Sequence, residues 1–268
     1  MDKEKIKEQI KRTMAYYKHT PPSILRKKAE EIGRFLKVTW SRQITSVYGV
    51  GYPFYTDDEY VPIFLLKRFE DMVKRVDHAE PEELAKIFRT ARVDLDILFI
   101  YRTPTCSFKF LEEKEYDDLT DMEQTVVQRE CLDVDGICKL LKLKFGIKMA
   151  PVDRFSLGSS IWLDLVPVSD RSWRYTLARL ENTFSSKLKI DTLFSLTPIY
   201  ACTGDELVRR EFIKSVVSAY GLEEIRKNFP SPYRELLSDQ KVYSLWLQRI
   251  LSVVRVIDSK RSSTKNLN

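Results

Sequence analysis

Two aspartates interrupt a stretch of chain that otherwise looks built for burial. In residues 92–101, RVDLDILFIY, Asp94 and Asp96 alternate with Leu95, Ile97 and Phe99. In an extended strand, residues two apart project from the same face, so the two carboxylates stand side by side, about 7 Å apart along the chain. Enclosed, they lose hydration and repel each other. A divalent cation removes both costs, and an all-oxygen donor set suits magnesium. A third acid has the same setting: Asp164 lies between Trp162, Leu163, Leu165 and Val166 in SSIWLDLVPVSD. If the two strands adjoin, three carboxylates meet at one part of a sheet. That grouping permits two-metal phosphoryl or nucleotidyl transfer, with Asp94 and Asp96 bridging the ions and Asp164 acting as ligand or base. The competing reading is a wet edge strand whose acids pair with Arg89, Arg92 or Arg102.

The elements that must hold these acids follow from periodicity and punctuation. Apolar residues every three to four positions predict helices over 2–18 and 22–38, with TPPS between them. RQITSVYGVGYPFY predicts a short strand and a turn at Gly49 and Gly51. Residues 62–76 and 81–90 are expected to be helical, then the 92–101 strand, then a long helix over 119–145 stopped by Gly146. Two strands should follow, 147–157 and 159–168, joined through Gly158-Ser159. Helices are expected over 172–186, 205–220 and 233–258, with a frayed tail over 259–268. The expected fold class is therefore α/β (α+β): a mixed sheet of four to five strands flanked by helices, with a helical C-terminal part. The segments divide as N-terminal helices 1–40, an α/β core 41–170, a mostly helical part 171–258 and the tail.

The order of VDLDILFIY, a long helix and two strands ending IWLDLVPV resembles the catalytic core of the polymerase-β-type nucleotidyltransferases. Archaeal CCA-adding enzymes and cyclic-oligonucleotide synthases are examples of that superfamily. The resemblance covers element order over about 40–220, and sequence in two short motifs. It implies catalytic and magnesium-binding roles for Asp94, Asp96 and Asp164, and an NTP as substrate. DELVRREFIKSVVSAYG likewise resembles the helix that follows the core in CCA-adding enzymes. The family also carries Gly-Ser or Gly-Gly a short distance before its first acid pair, where a helix start cradles triphosphate. Here the nearest glycines are Gly49 and Gly51, with no serine after them and two predicted helices between them and Asp94. An ordinary tight turn explains them equally well. Arg174, Arg210 and Lys214 are the basic residues in a position to bind the triphosphate; the alternative for each is a solvated helix face.

Composition narrows the remaining classes. Two histidines, His19 and His78, and four cysteines without CxxC spacing argue against zinc and against a histidine-dependent triad. Cys131 and Cys138 read as small buried hydrophobes. No apolar run is long enough to span a membrane, and MDKEKIKEQIKR lacks the apolar core of a signal peptide, so a cytoplasmic location is expected. A net charge of +6 and pI near 9.0 allow nucleic acid as a partner. The alternative function is a non-catalytic, oligomeric structural or nucleic-acid-associated protein. Its Gly-poor, Lys/Glu/Arg-rich composition resembles that of small proteins from viruses of hyperthermophilic archaea, which would place it in a virion.

Overall fold

The computed structural model describes residues 2–102, 120, 122, 134–145, 154–157 and 161–265. The expected Gly146 stop, the Gly158-Ser159 turn, Cys106 and Cys131 lie outside them. The chain opens with α1 (Lys3–His19) and α2 (Pro22–Thr39), then β1 (Ile44–Val50), the single turn α3 (Tyr52–Tyr55), α4 (Ile63–Val76), α5 (Pro81–Thr90) and β2 (Val93–Tyr101). It continues through α6 (Val134–Phe145), β3 (Arg154–Leu157), β4 (Ile161–Ser169), α7 (Asp170–Leu177), α8 (Lys187–Phe194) and β5 (Thr197–Tyr200). The last helices are α9 (Thr203–Tyr220), α10 (Leu222–Asn228), α11 (Tyr233–Leu236) and α12 (Gln240–Lys265).

The strands form one five-stranded mixed sheet in the order β3-β4-β2-β1-β5. β2 runs parallel to β4 and antiparallel to β1. The α+β expectation holds, with three local corrections. Helix 172–186 stops at Leu177 and gives way to turns in which Asn182 adopts a positive φ of 54°. The 233–258 helix is two, broken between Leu236 and Gln240, and its second part runs on to Lys265 where a frayed tail was expected. α8 and β5 had no sequence signal.

Strand alternation divides the sheet into two faces. One carries Val47, Phe99 and Ile97 and receives α2. The approach there is close: a Cβ on Gly33 would meet Ile199 Cγ2 at 2.7 Å and Val47 Cγ1 at 3.3 Å. The other face carries Tyr48, Leu98, Asp96 and Asp164 and turns toward the C-terminal helices, where Trp173 of α7 stacks on Tyr48 at 5.4 Å. One apolar core runs through both layers, from Ile6 to Ile250. Among the described residues no helix is long and apolar enough to cross a membrane.

A buried carboxylate pins the helical part to this sheet. Asp205, in the first turn of α9, is 1 % exposed. Its Oδ2 accepts from Thr45 Oγ1 at 2.7 Å, Ser46 Oγ at 2.5 Å and Cys202 Sγ at 2.9 Å. Ser46 Oγ in turn accepts from the Cys202 amide at 3.0 Å. Asp205→Ala would strand these donors in a dry site. We expect it to cost about 3 kcal/mol, read as a melting temperature lower by roughly 5–10 °C. An unchanged melting temperature would show the network contributes no net stability.

Candidate functional site

β2 lies between β4 and β1, which explains why its apolar residues are fully buried while its acids are only half-buried. Val93, Leu95 and Ile97 are 0 % exposed; Asp94 and Asp96 point to the opposite face. The parallel register sets Asp96 directly against Asp164 and Asp94 against Trp162. On the other side, Val50 is opposite Asp96 and Gly49 opposite Ile97. The structure therefore brings the three sequence-predicted acids onto one face. They line one cleft of about 550 Å³, together with Val50, Val166, Lys187 and Asp191. Oδ1 of Asp94 and Oδ1 of Asp164 are both shielded from solvent.

The electrostatics follow from this crowding. Burial, and then the charges of Asp94 and Asp164, push the Asp96 carboxyl up to about 7; Lys187 opposes the shift and Asp191 adds to it. Tyr17 reaches the start of β2 from α1, and burial followed by the charge of Asp94 keeps its hydroxyl protonated. The guanidinium of Arg92 lies 3.6 Å from the centre of the Trp162 ring, which shields the flank of the acid pair.

Gly51 lies beside Asp96. Its φ of 87° is unfavourable for any residue with a side chain, and a Cβ there would approach Asp96 Oδ2 at 3.2 Å. Gly49 serves a different surface. A Cβ on it would fall 2.0–2.4 Å from the Phe54 ring, so it makes room for α3 to fold back against the strand.

The basic residues expected at the site lie elsewhere. Arg210 donates to Glu206 Oε1 at 2.9 Å, alongside Arg209, which binds the same carboxylate. Arg174 is exposed on α7 and Lys214 half-buried on α9; neither is among the cleft-lining residues. Among the described residues the cation that lines the cleft is Lys187, at the start of α8. Its Nζ donates to Asp191 Oδ1 and Oδ2 at 3.0 and 2.7 Å and to the Tyr233 hydroxyl at 2.9 Å. The Tyr233 hydroxyl donates to Asp191 Oδ1 at 2.8 Å, and Asp191 is 7 % exposed. The signal that could have found Lys187 is its spacing from Asp191, one helical turn away.

Oxygen-only donors on adjacent strands, crowded enough to hold a carboxyl near neutral pKa, fit a hard divalent cation. They line an open cleft. Among the described residues no group of three or more His, Cys, Asp or Glu side chains is already arranged to hold a metal ion. The arrangement thus offers three carboxylates lining one cleft, an apolar wall and, among the described residues, one ammonium in the lining. No family model, no characterised protein and no solved structure matches the chain.

Proposed function

We propose that this cleft transfers a nucleoside monophosphate from an NTP to a hydroxyl acceptor. The observation that carries the reading is the in-register pairing of Asp96 with Asp164, with Asp94 on the same face of the same cleft. Asp94, Asp96 and Asp164 would hold magnesium, which when bound neutralises triphosphate charge and favours loss of pyrophosphate. The acceptor oxygen forms a bond to the α-phosphorus as the bond from that phosphorus to the α–β bridging oxygen breaks. The hydroxyl proton passes to a carboxylate of the cluster and then to solvent, and the electron pair leaves with pyrophosphate. Val50, Val166 and Leu188 supply an apolar wall for a nucleobase, and Lys187, ion-paired with Asp191, lines the same cleft and would meet the triphosphate there. Gly51 keeps the space beside Asp96 free of a side chain.

The test is transfer of label from an α-labelled NTP to the protein's own acceptor or to added oligonucleotide. Incorporation should require magnesium, stop on chelation, and vanish in Asp94→Ala and Asp164→Asn. Incorporation that survives either substitution would sink the reading, as would a folded wild-type chain that binds no NTP in the presence of magnesium.

A further inference from the structure

We propose that the groove between α4 and α5 is a track for single-stranded nucleic acid, which would present the acceptor hydroxyl to the acid cleft. The binding claim stands on the groove itself; the acceptor role rests on the nucleotidyl-transfer reading above.

The groove encloses about 650 Å³. Its floor is apolar: Met72 is 6 % exposed and Ile87 3 %, with the half-buried ring of Phe64 beside them. Its rims are cationic, formed by the exposed Lys67 and Arg68 on α4 and Lys86 on α5. Charge pairing within the groove is one-sided. Asp71 is engaged by Lys74 at 3.4 Å, Glu83 by Arg75, and Glu235 by the Ser231 hydroxyl at 2.5 Å. The side chains of Lys67, Arg68 and Lys86 make no ion pair or hydrogen bond among the described residues. Lys67, Arg68, Arg75 and Lys86 thus line the groove against Asp71, Glu83 and Glu235, an excess of one positive charge, and the side chains of Lys67, Arg68 and Lys86 are the ones open to a ligand beside an apolar floor with an aromatic ring.

That combination matches a strand whose phosphates run along the rims and whose bases lie on the floor. A duplex would fit poorly, because its bases are stacked inside and cannot reach Phe64 or Met72. An acidic peptide would satisfy the rims and leave the floor unused. Groove and cleft are linked through α11: Glu235 lines the groove, and Tyr233, two residues earlier in the same turn, binds Lys187 and Asp191, which line the cleft.

The test is fluorescence anisotropy on the full chain with a labelled single-stranded oligonucleotide, the corresponding duplex and a poly-glutamate peptide of matched charge, over a salt series. Wild type should prefer the single strand. The triple variant Lys67→Gln/Arg68→Gln/Lys86→Gln, confirmed folded by circular dichroism, should bind about tenfold or more weakly, and the slope of log affinity against log salt should shrink by about 2. Phe64→Ala should weaken binding with the slope unchanged. Asp94→Asn should bind strands as wild type does, which separates this claim from the catalytic one. Equal affinity in the triple variant, or equal affinity for poly-glutamate, would overturn the proposal. Binding that is retained without any label transfer would overturn only the acceptor role.

Discussion

Asp96→Asn is expected to make the protein more stable at pH 8 and inactive. The reasoning is electrostatic linkage. In the folded chain the Asp96 carboxyl is held up to about 7 by burial and by Asp94 and Asp164. Unfolded, it titrates in the ordinary range near 4. Between those values the folded state keeps a proton that the unfolded state has released. Stability therefore falls as pH rises across that window, and the full penalty is present above it. Removing the charge should recover on the order of 3 kcal/mol at pH 8 and nothing at pH 4. Thermal melts of both proteins across pH 4–8 read this directly. Saturating magnesium should raise the wild-type melting temperature at pH 8 and leave the variant nearly unmoved. On the nucleotidyl-transfer reading proposed above, transfer in the variant should drop by about 10³-fold or more, because Asp96 is one of the three carboxylates that would hold the metal. A variant that is less stable at pH 8 than wild type, by the same margin as at pH 4, would show that the acids do not repel one another.

Gly49→Ala should be the most damaging single-methyl change in the sheet. The new Cβ would sit 2.0–2.4 Å from three atoms of the Phe54 ring, which is 3 % exposed and has little room to retreat. A destabilisation of about 3 kcal/mol is expected. The conflict is specific to that ring, so it predicts coupling. Phe54→Ala alone should cost about 3–4 kcal/mol through the cavity it leaves. In the double variant the methyl group occupies part of that cavity, so the two losses should sum to more than the measured cost by about 1 kcal/mol or more. Denaturant unfolding of the four proteins closes the cycle. Strict additivity would mean that Phe54 does not seat against Gly49.

The parts legible in the sequence are those with strong period or strong contradiction. Asp94, Asp96 and Asp164 stood out because charge in an apolar strand is costly, and that same cost makes their grouping on one face informative. α1, α2, α4 and α5 follow their apolar spacing closely. α8 was invisible for a physical reason: in KLKIDTLF, Lys187, Lys189 and Asp191 alternate with Leu188 and Ile190, a period of two that shows no helical stripe. β5 is four residues long with a proline inside, too short for alternation to register. The basic residues misled in another way. Arg210 looked available for phosphate, yet Glu206 sits four residues earlier on the same helix and takes it together with Arg209. Asp205 looked like an ordinary acid at a helix start; only the docking of α9 on β1 reveals it as the centre of a dry network.

The ammonium of Lys187 has three protons to give, and at rest all three point at oxygens of Asp191 and Tyr233. A phosphate arriving beside the acids therefore meets a cation whose hands are full. It gains a contact only by taking one from a partner that is buried and itself bound to α11. A ligand that takes Lys187 would therefore compete with Asp191 and Tyr233, and winning that contest would cut the tie between α8 and α11.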